Sequence, residues 1–312
     1  MTEEELLAET RAFNENLEQL IAALPALHTV PPEQTRRARR ESGGIFAPPV
    51  YLPEAWWERI PGRGGEIPLR IVEPAAKSRG AYLHIHGGGW TLGAADLQDP
   101  TLKAAANATG LTIVSVDYRL APEHPYPAAP DDCEDAAVWL LDRFAGRLVI
   151  GGESAGAHLA VVTLLRLRER HRIDVRERFS AANLSFGVYD LTGTPSRHLW
   201  GDRELVLSSR SMSWFVENFV PGFSEGQRRH PDVSPLYADL RGLPPLLMQV
   251  GEAEVLLDDT LRVAEKAQAA GVDVTVDVYP EMIHIFQLFA PVLPEGQQAI
   301  DRIGAFLRPV GR

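Results

Sequence analysis

The stretch LVIGGESAG at 148–156 constrains the fold more than any other part of the chain. Three apolar residues run into Gly152-Glu153-Ser154-Ala155-Gly156, and a long helix-forming run over 155–169 follows. A G-x-S-x-G pentapeptide set between a strand and a helix is the setting of a nucleophile elbow. The turn is too tight for side chains beside the serine, and glycines there leave Ser154 on a strained corner with its hydroxyl exposed. The N-terminus of the helix adds partial positive charge where an oxyanion would develop. Five-residue patterns recur by chance, so the strand before and the helix after carry the weight of this reading.

Around the elbow the pattern is regular. Strand-like runs are expected at 66–73, 81–86, 111–118, 148–150, 183–188, 246–250 and 274–279. Helices are expected over 98–109, 132–144, 155–169, 258–270 and 296–307. Strands alternating with helices imply a mostly parallel sheet covered on both faces. Ahead of this unit, Leu6, Phe13, Leu17, Leu20, Ile21 and Leu24 predict an amphipathic helix over 3–24, stopped by Pro25. Pro31, Pro32, Pro48 and Pro49 bracket a segment expected to wrap a neighbour, and the RRARR run at 36–40 within it reads as a solvated helix face. The stretch 192–232, rich in Arg, Ser, Trp and Phe, interrupts the rhythm and reads as an excursion over a site.

A second chemical signal is His86-Gly87-Gly88-Gly89-Trp90, at the end of the run AYLHI. Three glycines leave backbone N–H groups uncovered, as acyl transfer requires of an oxyanion hole. The N–H groups of Gly88, Gly89 and Ala155 are the candidates. Gly87-x-Gly89-x-x-x-Gly93 with Asp117 ending the next strand also resembles a dinucleotide-binding turn. Against it, no helix starts at the glycines, and His86 and Trp90 crowd the turn. His84 and His86 share a strand face, but no further ligands follow at metal-site spacing, so no metal is expected. His86 reads as an anchor of the glycine loop and His84 as a satisfied core histidine.

A serine nucleophile needs a base and an acid, in the order Ser, acid, His. Of the histidines after Ser154, His158 lies one turn into the elbow helix and reads as structural, while His171, His198 and His230 lie in charged or proline-flanked segments. His284 follows the last strand, at the sheet edge where active sites gather, and is the candidate base. The acid is sought in the loop after LLMQV, where Glu252, Glu254, Asp258 and Asp259 are available.

Composition removes other classes. A length of 312 residues allows two domains or one large α/β domain with additions, and a net charge of −11 disfavours a nucleic-acid surface. The start MTEEELLAET lacks the pattern of a signal peptide, and no apolar run approaches membrane-spanning length. The single Cys133 suits a reducing compartment, and its acidic neighbours make it a poor nucleophile, so it reads as helix packing. The expectation is a soluble cytoplasmic protein with no membrane and no nucleic-acid partner.

HGGGW, DYRLAPEHPYPAA at 117–129 and GESAG together resemble the hormone-sensitive-lipase-like family of α/β-hydrolase carboxylesterases, over roughly 66–312. The resemblance implies an α/β-hydrolase fold, a mostly parallel central sheet flanked by helices with a mobile helical cap. It implies a serine carboxylic-ester hydrolase acting on short- to medium-chain acyl esters through an acyl-enzyme, with a small-molecule ester as partner and no cofactor. Aligning Gly251–Asp258 with the family's G-x-x-D-x-L-x-D pattern puts Glu254 in the place of the triad acid, a departure from the usual aspartate, with Asp258 as fallback. Glu153 departs likewise, where the family more often has aspartate; its side chain is expected to point into the protein and to form an ion pair, with Arg119 as the suggested partner. The implied division is an N-terminal part of the cap over 1–45, core over 46–190, cap insertion over 191–232 and core over 233–312. Trp90, Trp214 and Phe215 are candidate pocket walls, with Trp200, Met212 and Phe219 beside them. Edge pairing of the last strand implies a possible homodimer. Lactones, carbonates or amides are the alternative substrates of the same triad, and a non-catalytic ligand-binding protein is the other alternative.

Overall fold

A computed structural model describes residues 3–42, 45–201 and 203–308. Eight strands form one sheet: β1 (Trp56–Gly62), β2 (Gly65–Val72), β3 (Gly80–Ile85), β4 (Thr112–Val116), β5 (Arg147–Glu153), β6 (Ala181–Ser185), β7 (Leu246–Gly251) and β8 (Val274–Tyr279). Their order is β1-β2-β4-β3-β5-β6-β7-β8. The β1–β2 and β2–β4 pairs are antiparallel, and every other pair is parallel.

Seven strands lie where the apolar runs predict them. The eighth, β1, escapes a pattern search because it is a half-exposed edge strand, WWERIPG, with Pro61 in it. Proline is tolerated at an edge, where one row of N–H groups needs no partner. The central strands β3 and β4 are buried along their whole length, as a sheet covered on both faces requires. Period-two alternation sends Leu83 and Ile85 to one face and Tyr82 to the other.

The first face is covered by α4 (Ala128–Arg143) and α5 (Ala155–His171), the second by α3 (Asp99–Thr109) and α11 (Pro294–Phe306). Helix α10 (Leu257–Ala269) packs against β7 and β8. A buried ion pair between Arg70 and Asp99 ties α3 to β2. The strand order reverses at β3, which pairs with β4 on one side and β5 on the other. Loops leaving the carboxyl ends of β3 and β5 therefore diverge and open a crevice between them, where open α/β sheets bind ligands.

Helices α1 (Glu3–Ala22) and α2 (Pro32–Ser42) precede the sheet. In α1, Leu17 is buried and Phe13 and Ile21 are half-buried, whereas Leu20 is exposed, as is Leu24 beyond the helix end, so its apolar stripe is narrower and shorter than the spacing predicts. The Leu6 side chain lies outside the described residues. Helix α6 (Val175–Arg178) precedes β6, and between β6 and β7 stand α7 (Pro195–Trp200), α8 (Ser209–Phe219) and α9 (Glu225–Arg228). The last three occupy the excursion, with no strand of the sheet among the described residues there. Among the described residues, no helix is long and apolar enough to cross a membrane.

Candidate active site

Ser154 stands at the corner between β5 and α5 with φ +56° and ψ −119°, a conformation that L residues rarely adopt. Such a backbone costs on the order of 1–3 kcal/mol and persists only where the surroundings enforce it. Here the enforcement is the end of β3. A Cβ on Gly152 would lie 2.0 Å from the Ile85 carbonyl oxygen, and one on Gly156 would lie 1.9 Å from it. Both flanking positions therefore require glycine, and the elbow can pack directly on β3.

The three residue types sought in the sequence meet here. Ser154 Oγ is 3.1 Å from His284 Nε2, and His284 Nδ1 is 3.2 Å from Glu254 Oε1. All three are buried, with side chains brought from the ends of β5, β7 and β8. A carboxylate accepts only, so the Nδ1 proton points at Glu254 and the Nε2 lone pair is left for the serine hydroxyl. The Glu254 loop and the His284 loop are packed together. The Ala253 N–H donates to the Met282 carbonyl, and a Cβ on Gly251 would meet that same oxygen at 2.0 Å. The Phe186 ring stands edge-on to the imidazole at 5.0 Å.

The other acids are engaged elsewhere. Glu252 is exposed. Asp258 accepts from the Ser196 N–H at 2.6 Å, and Asp259 accepts from the N–H groups of Tyr189 and Asp190 and from the Thr194 hydroxyl. His171 pairs with Glu134 at 2.8 Å, and His198 and His230 are exposed. His158 is wholly buried: it accepts from Trp90 Nε1 at 3.1 Å and donates from Nε2 to the Val233 carbonyl at 2.8 Å. Burial pushes its pKa down to about 4, which keeps the imidazole neutral.

The glycine loop turns through left-handed backbone at Gly88 (φ +111°), Gly89 (φ +59°) and Trp90 (φ +57°). The Gly88 carbonyl closes the turn by accepting from the N–H groups of Thr91 and Leu92. The N–H groups of Gly88, Gly89 and Ala155 have no acceptor among the described residues. His86 donates from Nδ1 to the Gly87 carbonyl at 2.9 Å, and its ring stacks on Tyr118, whose hydroxyl donates to the His86 carbonyl. His84 bonds Ser115 and Glu153. Among the described residues, no group of three or more His, Cys, Asp or Glu side chains could hold a metal ion.

Three expectations are corrected here. Glu153 does not pair with Arg119, which is held by Asp132 at 2.8 Å. Instead its carboxylate accepts from the Gly87 N–H at 2.9 Å, from Gln98 Nε2 at 2.7 Å and from His84 Nε2 at 3.1 Å. Burial alone would raise its pKa, but His84, the Gly87 N–H and Gln98 outweigh burial and hold it below the usual carboxylate range. Trp90 is not a pocket wall. Its positive φ turns the indole inward, where it stacks on Phe219 at 4.5 Å and bonds His158. Nor is α2 solvated all round: Arg37, Ala38 and Arg40 are exposed, but Arg36 donates to the carbonyls of Thr91 and Ala121 and pairs with Glu123, and Arg40 pairs with Asp96. Two of the arginines that composition assigns to solvent therefore tie α2 to the segments that follow the glycine loop.

A cavity of about 410 Å³ opens over Ser154, within the range of small-molecule sites. Its walls are mostly apolar. Phe215 and Met212 of α8 line it, and Phe215 lies so close to Gly89 that a Cβ there would strike the ring. Trp214, Trp200 and Phe219 do not line it. Leu27, Arg39, Phe46, Pro48 and Leu288 do, and no local pattern in the sequence marks them. Equally unmarked is Glu281, three residues before His284, which fastens the histidine loop to α1. Its carbonyl accepts from Asn14 at 2.8 Å and its carboxylate from Arg11 at 2.6 Å.

With the geometry in place, the chain can be compared with known proteins. A family model described as the alpha/beta hydrolase fold matches residues 82–288, a span that holds Gly88, Gly89, Ser154, Glu254 and His284. The acetyl-hydrolase of Streptomyces hygroscopicus is 38% identical over 276 residues, covering 87% of each chain. The carboxylesterase NlhH of Mycobacterium tuberculosis is 33% identical over 299 residues, covering 92% of each. Among solved structures, a hyperthermophilic esterase from the archaeon Pyrobaculum calidifontis matches with a TM-score of 0.85 at 31% identity, over 95% of this chain and 96% of that one. The chain belongs to the α/β-hydrolase-fold family.

Proposed function

We propose that the protein is a serine carboxylic-ester hydrolase of the hormone-sensitive-lipase-like branch, with Ser154, His284 and Glu254 as its triad. The observation that carries this reading is the bonded chain from Ser154 Oγ through His284 to Glu254. It lies beside three backbone N–H groups without acceptors among the described residues. Ser154 attacks the ester carbonyl while His284 Nε2 takes its proton. The N–H groups of Gly88, Gly89 and Ala155 stabilise the tetrahedral oxyanion; losing one such donor costs on the order of 10²–10³ in kcat. His284 then protonates the leaving alcohol, and an acyl-Ser154 remains. Water, deprotonated by His284, releases the acid and restores the serine. Glu254 orients the imidazole and balances its charge in both steps. The names of the relatives, acetyl-hydrolase and carboxylesterase, support an ester as the substrate.

In this reading 1–45 and 191–232 form a cap over a core of 46–190 and 233–312. The Arg203–Glu18 ion pair between the two cap parts supports that division, as do Met212 and Phe215 in the cavity wall. Short to medium acyl chains suit the enclosed apolar cavity. β8 ends the sheet, which suits a homodimer formed by edge pairing. The test is hydrolysis of p-nitrophenyl esters from C2 to C16 by the wild type and by Ser154→Ala. Fast cleavage of the short esters, lost by about 10³-fold or more in Ser154→Ala, is expected. No cleavage of any ester by the folded wild type would overturn the reading in favour of a binding protein.

A further inference from the structure

Three arginines of α2 face the protein, and two of them are matched. Arg36 is held by Glu123 and two carbonyls, and Arg40 by Asp96. Arg39 has no hydrogen-bond acceptor and no carboxylate partner among the described residues, yet it is half-buried and lines the cavity that holds Ser154 and His284. Its guanidinium carbon lies 5.3 Å from the centroid of the Phe46 ring, a cation–π distance. A ring offers no lone-pair acceptor, so the N–H groups remain without one among the described residues.

The one carboxylate lining the same cavity, Glu153, is committed to Gly87, Gln98 and His84. Among the described residues, Arg39 therefore has the Phe46 ring beside it but no carboxylate to match its charge. A half-buried unpaired charge is costly, and leucine or methionine would fill an apolar wall without that cost. Burial draws the Arg39 pKa down to about 10, so the group is still charged at neutral pH.

We propose that Arg39 is a specificity residue that receives a remote carboxylate of the substrate, so that the preferred substrates are esters carrying a second, ionised acid group. This rests on the esterase reading above. The planar fork matches a carboxylate in two parallel hydrogen bonds. A phosphate monoester would bring close to two negative charges into a mostly apolar cavity offering one unmatched cation, so a carboxylate is the better fit.

The test compares charged and neutral esters of similar shape. Monoethyl adipate against ethyl hexanoate places the carboxylate on the acyl side, and 4-acetoxybutyrate against butyl acetate places it on the alcohol side. On one of the two arms, Arg39→Met is expected to lower the charged-to-neutral ratio of kcat/KM by about 10–100-fold, chiefly through KM, as loss of a charge-assisted bidentate pair would. Arg39→Lys is expected to retain part of the ratio. Should Arg39→Met fail to fold, Arg39→Gln is read in the same way. An unchanged ratio on both arms, or an equal loss on charged and neutral esters, overturns the proposal. Calorimetric titration of Ser154→Ala with adipate separates this from the esterase reading. If the wild type cleaves no ester, that reading falls, whereas adipate binding lost in the Ser154→Ala/Arg39→Met double variant still supports Arg39 as the receptor. Absence of adipate binding together with an unchanged ratio overturns it.

Discussion

The elbow at Ser154 and the helices α1 and α2 border the same site, and they are held in different ways. At the elbow, backbone touches backbone: Gly152 and Gly156 lie against the Ile85 carbonyl with no room for a methyl group. Helices α1 and α2 reach the site through long polar side chains instead, Arg11 and Asn14 to Glu281, Arg36 to Thr91 and Ala121, Arg40 to Asp96. Close-packed backbone has one arrangement, so the floor is stiff. Most of the side-chain tethers are partly solvated, individually weak and able to exchange, so much of the roof can differ in shape without disturbing the chemistry below it. On the proposed reading, reaction type belongs to the floor and substrate choice to the roof.

The sharpest way to break that assignment is at the floor. Glu254→Gln keeps the volume of the side chain but removes the charge that balances the imidazolium, and its amide can turn a donor toward Nδ1. A fall in kcat of about 10³–10⁴ with little change in KM is expected in steady-state kinetics. A loss below tenfold would move the acid elsewhere, with Asp258 the first to try by substitution.

A second floor prediction concerns stability. His158 is held neutral beneath the glycine loop, with its pKa pushed by burial to about 4 against 6.5 in the unfolded chain. Between those values the unfolded chain binds more protons than the folded one, so stability is complete above about pH 6.5 and declines as pH falls toward 4. The contribution is about 3 kcal/mol. Melting temperatures of the wild type should therefore drop across that window more steeply than those of His158→Gln, which can still accept from Trp90 and donate to Val233. Parallel curves would show that His158 is not the group responsible.

The same contrast explains how much could be read from the sequence. LVIGGESAG and HGGGW are legible because each is a contiguous run with glycines at fixed spacing after an apolar strand, although the atoms that exclude a Cβ come from elsewhere, the Ile85 carbonyl for Gly152 and Gly156 and the Phe215 ring for Gly89. His284 was found by its position after the last apolar strand. Partners across the fold were not legible. Glu153 was assigned to Arg119, yet what it meets is set by where β3 and α3 bring His84, Gly87 and Gln98. RRARR read as solvent-facing because composition cannot show that Thr91, Ala121 and Asp96 wait on the other side. Trp90 looked like a wall because it follows the glycine loop, and only its backbone angle turns it into the core. Glu254 was singled out by family resemblance; the loop itself offers four acids, and hydrogen-bonding distance to His284 distinguishes it among them.

Glu153 belongs to the floor, at the end of β5, but its side chain stands back from the triad, and a milder effect is expected of it. It does not touch the triad, but it holds the Gly87 N–H next to the proposed oxyanion donors. Glu153→Gln replaces charged acceptors with one neutral acceptor and a donor, so the bonds from Gly87 and Gln98 weaken, His84 must change tautomer to keep its contact, and the loop loosens. A fall in kcat of about tenfold with KM nearly constant is expected, and Glu153→Asp should recover part of it. A change confined to KM would place Glu153 among the substrate contacts instead.

The smallest effect belongs to the roof. Arg11 pairs with Glu281 at 2.6 Å, but its side chain is 60% exposed. The attraction is screened by solvent, and ordering two long side chains offsets much of what remains. Asn14 is buried and donates to the Glu281 carbonyl, so it fixes backbone three residues from His284, where a lost bond leaves a carbonyl without its partner. Arg11→Ala should therefore change kcat on p-nitrophenyl butyrate by less than about twofold, while Asn14→Leu should lower it several-fold through displacement of the His284 loop. Should Arg11→Ala prove the more damaging of the two, the exposed tether rather than the buried one would be holding the base, and the roof would have to be counted as part of the catalytic frame.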